Sequence, residues 1–348
     1  MVSLPKYLKQ SDRELENKFR FIQHQEDARI RDATMDPSNS KWTFGVSIDD
    51  SNRYRNRYVN IMPYEKNRVK LNVYNGNDYM NASYVKVNVS GQTMKPGFYI
   101  ATQGPTERTW DQFWQMCYQN YSENDSNDSV VIVMVTPLVE YNREKCYQYW
   151  PRGGSSDSIR IAEKVQDPGE DDVSEFEHAL KIEYANSRRY DDCYTLTTMR
   201  LVPVDESGEE LGPAKTVHHF YFDQWRDMSK PEEVIPIMKL CQHSHSLNKA
   251  GNPIIVHCSA GVGRSGTFIA LDHMLHDTED FKIDAEQKMS SGGQMVGSPL
   301  HPDKGYDHDL IEQIVLQLRA QRLKMVQMSD QYKFIYHAAK YMYQHPPH

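Results

Sequence analysis

The sequence predicts one domain of the α/β class, in which helices cover a mixed β-sheet. Two short runs, residues 130–135 and 254–257, are apolar on both faces and are typical of buried strands. Longer segments with helical periodicity lie around them. No composition shift marks a boundary, so we expect a single domain although the chain has 348 residues, more than a typical domain of roughly 150.

Five segments are predicted to be helical: 11–35, 106–120, 267–276, 308–325 and 329–343. The first opens with Ser11 followed three residues later by Glu14, which is the spacing of a capping box. The second follows Pro105 and carries its large apolar side chains at helical spacing.

Three stretches rich in Gly, Ser, Pro or acidic residues are predicted to be surface insertions, near 153–177, 205–213 and 282–307. We expect the domain to span residues 15–345, after an N-terminal tail of residues 1–14.

Composition excludes several classes of function. The chain has 40 basic and 48 acidic residues and a net charge of -8, which does not favour binding to nucleic acid. The most apolar run, 130–139, is interrupted by Thr136 and Pro137 and falls short of the ~20 apolar residues of a membrane span. The N-terminus lacks the apolar stretch of a secretory signal.

The five cysteines are scattered and include no CxxC pair, which argues against a disulfide framework and a zinc site. The 14 histidines show no zincin spacing, and no carboxylate lies in register with His243 or His245. We therefore expect no metal and no cofactor, and a reducing compartment, the cytoplasm or the nucleus.

Residues 252–268 carry the clearest chemical pattern. A buried strand is followed by Cys258, a loop of small residues, Arg264 and the start of a helix. The loop consists of Ser259, Ala260, Gly261, Val262 and Gly263. Small residues let successive backbone N–H groups turn inward at a helix N-terminus, where they bind an anion. The guanidinium of Arg264 can then form two hydrogen bonds with a phosphoryl group.

The same surroundings favour the thiolate of Cys258. A helix N-terminus and a nearby guanidinium lower a cysteine pKa to roughly 3.5–7.5. A lone cysteine is more often an inert core thiol, but a thiolate at the base of an anion-binding loop is suited to attack on phosphorus. The expected intermediate is a cysteinyl phosphate.

The string HCSAGVGRSG at 257–266 resembles the signature loop of the protein tyrosine phosphatases, and specifically of their phosphotyrosine-selective branch. The resemblance covers about residues 15–343 and is greatest to small non-receptor fungal members. Further similar motifs are NRY at 56–58, DYMNAS at 78–83, YIATQGP at 99–105, TWDQFW at 109–114, QYWP at 148–151 and QMSDQ at 327–331.

This resemblance implies a single α/β domain with a highly twisted mixed sheet flanked by helices. It also implies hydrolysis of phosphotyrosine, with phosphotyrosine-containing proteins as partners and phosphate-like or sulfate-like anions binding at the cysteine loop. The domain of residues 15–345 would be the catalytic domain.

A carboxylic acid must protonate the departing tyrosine oxygen. The residues alone do not choose between Asp223 and Asp227, which lie in one segment before the nucleophile. The family's acid loop reads Trp-Pro-Asp, and Trp225-Arg226-Asp227 falls on it. The resemblance thus implies that Asp227 is the general acid and base and that Trp225 supports it. Arg226 replaces the family's proline, which fixes φ, so loop closure is expected to differ.

Residues 53–70 hold six basic residues against one acid, Glu65, in an acidic chain. Such a patch suits an anionic ligand, or it is simply a solvated basic surface. The resemblance implies that Tyr58 stacks on the substrate ring and sets a pocket depth that excludes phosphoserine and phosphothreonine. Asn60 stands where relatives have an aspartate that holds the peptide backbone, so we expect a weaker contact.

Several further roles follow from the resemblance. Gln327, assisted by Gln331, would orient the hydrolytic water. Ser265 would either donate a hydrogen bond to the thiolate or cap the helix, and His257 would order the loop. Lys145 and Glu140 would support Arg264 and the acid loop, or they are surface charges.

Two alternatives stay open. The first is a dual-specificity or lipid phosphatase, although such enzymes tend to have shallower pockets and shorter domains. A phosphotyrosine-binding module with poor turnover would follow if the altered acid loop did not close.

Overall fold

A mixed sheet forms the centre of the molecule. The computed structural model describes residues 3–119, 128–164, 175–225, 234–281 and 309–345. The strands in these ranges are β1 (Arg68–Lys70), β2 (Tyr79–Val87), β3 (Gly97–Thr102), β4 (Ser129–Met134), β5 (Val139–Glu140), β6 (Arg143–Glu144), β7 (Ile159–Ala162), β8 (Ala179–Tyr190), β9 (Tyr194–Val204), β10 (Lys215–Phe222) and β11 (Ile254–His257).

The α-helices of the described ranges are α1 (Asp12–Met35), α2 (Gly45–Ile48), α3 (Trp110–Tyr118), α4 (Val234–Leu247), α5 (Gly263–Asp277), α6 (Leu310–Arg319) and α7 (Ser329–Gln344). None of these helices is long and apolar enough to cross a membrane.

Nine of the described strands pair in the order β1-β2-β3-β11-β4-β10-β9-β8-β7, and β5 and β6 form a separate hairpin. The four central strands, β3, β11, β4 and β10, run parallel, whereas the outer pairs are antiparallel. The expected mixed sheet with flanking helices is confirmed. The carboxyl ends of its four parallel strands lie on the same side of the sheet. Cys258, which directly follows β11, is therefore on that side.

The central strand β4 is buried along its whole length. Val131 and Val133 pack into one core cluster, whereas Val130 and Ile132 pack into a second cluster. Because side chains alternate across a strand, a run that is apolar on both faces requires cover on both sides. The predicted strands at 130–135 and 254–257 are thus confirmed.

The predicted helices are present with shifted ends. Ser11 and Glu14 form the expected capping box, in which Ser11 Oγ accepts from the Glu14 N–H at 3.2 Å and the Glu14 carboxylate accepts from the Ser11 N–H at 2.9 Å. Helix α3 begins at Trp110 rather than 106, because Thr109 Oγ accepts the Thr106 N–H in a preceding turn. Helix α6 ends at Arg319 rather than 325, and the chain then reaches a positive φ of 59° at Lys324.

The prediction of a tail before residue 15 needs correction. Tyr7 and Leu8, in a short 3₁₀ helix, are each 1% exposed within the main core. The Tyr7 hydroxyl donates to Asp280 at 2.8 Å, and the Gln10 amide donates to Asp309 at 3.0 Å. Apolar burial therefore makes this segment part of the domain.

The insertions have three different outcomes. The described part of the stretch 153–177 contains the edge strand β7, in which Ile159 and Ile161 alternate, so it is not entirely a loop. Residues 165–174 lie outside the described residues. Residues 205–213 form a turn beyond β9, held by pairing of Glu210 with Arg200 and Lys181. The predicted insertion at 282–307 lies outside the described residues.

Candidate active site

Cys258 lies at the base of a pocket of about 310 Å³ and is itself only 5% exposed. The loop from Cys258 to Gly263 joins the end of β11 to the start of α5, as the sequence predicts. The pocket walls are Tyr58, Asn60, Ile61, Thr136, Glu140, Lys145, Ser259, Ala260, Gly263, Arg264, Gln327 and Gln331. Most residues predicted from distant parts of the sequence therefore meet in one place.

The curvature of the loop depends on Gly261. Its φ is +77°, and a Cβ there would lie 2.1 Å from the Thr102 carbonyl oxygen. No side chain fits at that distance, so only glycine permits this turn. The turn brings the Gly261 N–H to 3.3 Å from Cys258 Sγ, where it donates a hydrogen bond to the sulfur.

Opposing effects act on the pKa of Cys258. Burial raises it, but the nearby Ser265 hydroxyl and the backbone N–H groups of Ser265, Gly261 and Val262 favour the thiolate, so the pKa lies below its usual value. Helix α5 begins after Val262 without a side-chain cap, and the buried Ser265 hydroxyl has no hydrogen-bond partner of normal length among the described residues. The hydroxyl therefore does not cap the helix, and its donation to the thiolate stays a prediction.

Arg264 projects into the pocket from the first turn of α5 and forms two hydrogen bonds with Glu140. Nη1 and Nη2 each donate to a different carboxylate oxygen at 3.0 Å. Both side chains are 23% exposed. This pairing fixes the plane of the guanidinium while leaving its Nε–H edge outside the pair.

Tyr58 is tied to the cysteine loop. Ser259 Oγ donates to the Lys145 carbonyl at 2.8 Å, so the Tyr58 hydroxyl donates to Ser259 Oγ at 2.7 Å. The half-buried ring of Tyr58 thereby becomes a fixed pocket wall. Lys145 holds Ser259 through its backbone carbonyl and is itself one of the residues that line the pocket.

His257 orders the loop from below, through a chain of buried hydrogen bonds. Burial, aided by Arg57, lowers the pKa of His257 to about 4, so its ring is neutral near pH 7. Its Nδ1–H then donates to the Cys258 carbonyl at 3.0 Å, and its Nε2 accepts from the Tyr149 hydroxyl at 2.6 Å. The Tyr149 oxygen in turn accepts from His219 Nε2 at 2.7 Å.

The two glutamines lie at the mouth of the pocket, where α7 begins. Gln331 Oε1 accepts the Met328 N–H at 3.1 Å, and its amide lies 3.0 Å from where a Cβ on Gly263 would stand. Gln327 and Asn60 are exposed. All three can therefore reach a ligand in the pocket or the water that accompanies it.

Asp227 and Arg226 lie outside the described residues. Trp225, directly before them, is 3% exposed and packs edge-on against Phe222 with ring centroids 6.2 Å apart. The competing acid, Asp223, is held by Arg189 at 2.9 and 3.2 Å and does not line the pocket. The geometry therefore gives no support to Asp223 as the acid.

Sequence reasoning missed Arg322, which holds the loop from behind. It is fully buried and donates to the carbonyls of Gly261 and Ala260, each at 3.0 Å. It also donates to Asn81 Oδ1 at 2.8 Å and to Ser83 Oγ at 3.0 Å. Burial lowers the pKa of Arg322 to about 10, which leaves it charged near neutral pH. No short-range signal marks it, because its partners come from distant segments.

The basic segment 53–70 serves the fold more than a ligand. Arg55 is buried against Glu175, and Arg68 pairs with Glu65 and Asp78. Arg57 donates to the backbone carbonyls of the loop that follows β3. The expected anion-attracting patch is therefore reduced to one exposed arginine and two exposed lysines.

Comparison with known proteins gives a consistent result. A family model described as protein-tyrosine phosphatase matches residues 52–341. Tyrosine-protein phosphatase 1 of Saccharomyces cerevisiae is 62% identical over 343 residues, which are 98% of each chain. Tyrosine-protein phosphatase 1 of Schizosaccharomyces pombe is 32% identical over 92% of this chain but only 50% of that protein.

A solved structure, "Structural basis of PTPN18 fingerprint on distinct HER2 tyrosine phosphorylation sites", is similar in fold. Its TM-score is 0.65 over 95% of each chain, at 22% sequence identity. At that identity the match bears on the architecture alone, and it agrees with the mixed sheet and flanking helices described above.

Proposed function

Because this chain belongs to the protein-tyrosine phosphatase family and is a protein-tyrosine-phosphatase enzyme, we propose that it hydrolyses phosphotyrosine in proteins through a cysteinyl phosphate on Cys258. The observation that carries the proposal is the buried thiol of Cys258, with a lowered pKa, in one pocket with Arg264. Phosphotyrosine-containing proteins would be its partners in signalling.

In the first step the phosphoryl group occupies the loop. Backbone N–H groups between Ser259 and Arg264 and the guanidinium of Arg264 take its oxygens. The Cys258 thiolate attacks phosphorus, the S–P bond forms and the P–O bond to tyrosine breaks. Asp227 gives its proton to the tyrosine oxygen as that bond breaks. This last role rests on its place in the family motif.

In the second step water attacks the cysteinyl phosphate. Asp227 now takes a proton from that water, the S–P bond breaks and the Cys258 thiolate leaves with phosphate as product. Gln327 and Gln331, at the mouth of the pocket, would position the water. The donors that lower the pKa of Cys258 also stabilise the departing thiolate.

The depth of the pocket favours phosphotyrosine. Cys258 is 5% exposed at the base, and the Tyr58 ring is fixed at the wall by its bond to Ser259. A buried sulfur beside a fixed aromatic wall suits a phosphate carried by a long, flat side chain, which supports phosphotyrosine over the shorter phosphoserine. This geometry disfavours the dual-specificity alternative. Arg226 departs from the family pattern in the acid loop, where it would alter loop closure. Asn60 departs from it at the edge of the pocket, where it would weaken the affinity for the peptide.

Initial rates on matched phosphotyrosyl and phosphoseryl peptides test the proposal. We expect turnover of the phosphotyrosyl peptide and negligible turnover of the phosphoseryl one. Comparable rates on both would favour a dual-specificity enzyme. Tight binding of the phosphotyrosyl peptide without release of phosphate would favour the binding module.

We also propose a cytoplasmic or nuclear setting. The described cysteines, Cys117, Cys146, Cys193, Cys241 and Cys258, are all free thiols. A cysteine nucleophile is active only while its own thiol is reduced, and a reducing compartment keeps it so, which supports such a setting.

A further inference from the structure

A second cluster of chemically active side chains lies away from the Cys258 pocket. His245 is in the last turn of α4, and Asp272 and His276 are one turn apart on α5. His245 and Asp272 line a separate pocket of about 300 Å³ together with Tyr99 and Ile254. Since Ile254 opens β11, this pocket lies at the amino end of the strand whose carboxyl end leads to Cys258.

We propose that His245, Asp272 and His276 bind one zinc ion. One ligand atom from each residue lies within 4.8 Å of the others. His245 Nδ1 is 3.5 Å from Asp272 Oδ2, and His276 Nε2 is 3.6 Å from Asp272 Oδ1. Ligand atoms on a tetrahedral zinc ion, with bonds of about 2.0–2.2 Å, stand about 3.4 Å apart. The two measured distances end on different oxygens of Asp272, so the three side chains lie close together but must move to share an ion.

Two of these atoms lack a hydrogen-bond partner among the described residues. Asp272 Oδ1 and His245 Nδ1 are both buried and unpaired. The Asp272 side chain is 0% exposed, and its other oxygen accepts from the Tyr99 hydroxyl at 2.6 Å. A buried carboxylate oxygen without a donor is costly, and a cation between the unpaired atoms removes that cost. Tyr99 would orient the ligating carboxylate, as outer residues do in metal sites.

Binding requires a defined rearrangement. The imidazole rings of His245 and His276 are stacked 3.8 Å apart at 13°. An ion lies in the plane of each imidazole that binds it, so the rings must turn relative to each other. Both side chains are partly exposed, at 28% and 18%, which leaves room to turn. His276 Nε2 also gives up its 3.2 Å hydrogen bond to the Cys241 carbonyl.

The donor set selects zinc over calcium or magnesium, because two imidazoles and one carboxylate suit zinc and related transition ions. Three protein ligands leave a fourth position for water from the adjoining pocket. The ion would link α4 to α5, the helix whose first turn carries Arg264. We therefore expect it to stabilise the fold, since a ligand that binds only the folded state raises its stability.

The test is a calorimetric titration of tag-free, metal-free protein with Zn²⁺. Every protein carries Cys258→Ser, so the active-site thiolate does not contribute. We expect one ion per chain, bound about tenfold or more less tightly after His245→Gln or His276→Gln. His24→Gln, at an exposed histidine of α1, is the matched control and should change nothing. Zinc should raise the melting temperature of the parent protein but not of the His276→Gln protein.

The proposal is overturned if no ion binds, or if both variants retain full affinity, since the ion then lies elsewhere. If the variants do not fold, the site is tested instead on the Cys258→Ser parent, by modification of its histidines with diethylpyrocarbonate in the presence and absence of Zn²⁺. Mass spectrometry should show that Zn²⁺ protects His245 and His276 but not His24. Equal modification with and without zinc contradicts the site.

Discussion

Arg264 and Glu140 form a two-pronged ion pair, in which Nη1 and Nη2 of the guanidinium each donate to one carboxylate oxygen at 3.0 Å. The pair joins the first turn of α5 to the hairpin of β5 and β6 across the mouth of the pocket. Glu140 therefore fixes the plane of the guanidinium and leaves its Nε–H edge outside the pair.

This relationship predicts that Glu140→Gln lowers kcat/KM on a phosphotyrosyl peptide by about tenfold. That change corresponds to ~1.4 kcal/mol, which is close to the upper limit of what a partly exposed ion pair contributes. Steady-state kinetics measures the effect. Glu144→Gln, in the same hairpin and 52% exposed, is the control and should behave as the parent. If Glu140→Gln instead lowers KM, Glu140 competes with the phosphate rather than orienting Arg264.

The thiols are predicted to differ sharply in reactivity. Burial raises the pKa of Cys117, Cys146 and Cys241, and burial together with Asp191 raises that of the more exposed Cys193. Only Cys258 has a lowered pKa, and the thiolate is the nucleophile. Iodoacetate at pH 6.5 should therefore label Cys258 first, and inorganic phosphate should protect it. Peptide mapping that finds Cys193 labelled first would mean that exposure outweighs ionisation here.

Arg322 is predicted to be required for the shape of the loop. Arg322→Met removes four hydrogen bonds and leaves the Gly261 and Ala260 carbonyls unpaired. We expect the free energy of unfolding to fall by about 3 kcal/mol and kcat to fall with it. Arg322→Lys keeps the charge but cannot reach all four acceptors, so its loss should be intermediate. Urea unfolding and kinetics of the two variants check this, and an undiminished kcat in Arg322→Met would contradict it.

The general acid is predicted to be Asp227. Asp227→Ala should lower kcat by roughly 10²–10⁴ and remove the basic limb of the pH–rate profile, because that limb reports loss of the acid's proton. Asp223→Ala is the matched control and should cost far less, since Asp223 is held by Arg189. Profiles of kcat against pH for both variants test this assignment. If Asp223→Ala alone loses the basic limb, Asp223 and not Asp227 is the general acid.

Arg226→Pro is predicted to act on closure of the acid loop rather than on the chemical step. Restoring a fixed φ should change kcat on a phosphotyrosyl peptide only modestly and leave both limbs of the pH profile in place. A kcat that falls as far as in Asp227→Ala would show that Arg226 takes part in the chemistry.

Local patterns in the sequence predicted local structure well. The strand, Cys258, the small-residue loop and Arg264 follow one another directly, so the order of residues alone predicted the loop that joins β11 to α5. The capping box of Ser11 and Glu14 was equally local and is present. The remaining walls of the pocket came from resemblance, because no spacing rule links Tyr58 or Gln327 to a loop some 200 and 70 residues away.

What the sequence did not predict depends on long-range contacts. Arg322 looked like part of a helix, and only folding places it behind Gly261. No carboxylate stands near His245 in the sequence, because Asp272 comes from the next helix. Two apolar residues, Tyr7 and Leu8, are too few to show a helical or strand-like hydrophobic pattern, so the sequence predicts a tail there. In the structure both are buried in the core.

The central claim is that phosphate passes through a covalent bond to Cys258, and rapid quenching tests it most directly. The enzyme is mixed with excess phosphotyrosyl peptide, quenched in acid within the first turnovers and mapped by mass spectrometry. We predict one phosphoryl group on the peptide that contains Cys258. Cys258→Ser should release no phosphate while still binding the phosphotyrosyl peptide. Near-normal turnover by Cys258→Ser, or phosphate transfer with no phosphorylated cysteine at any quench time, would contradict the mechanism.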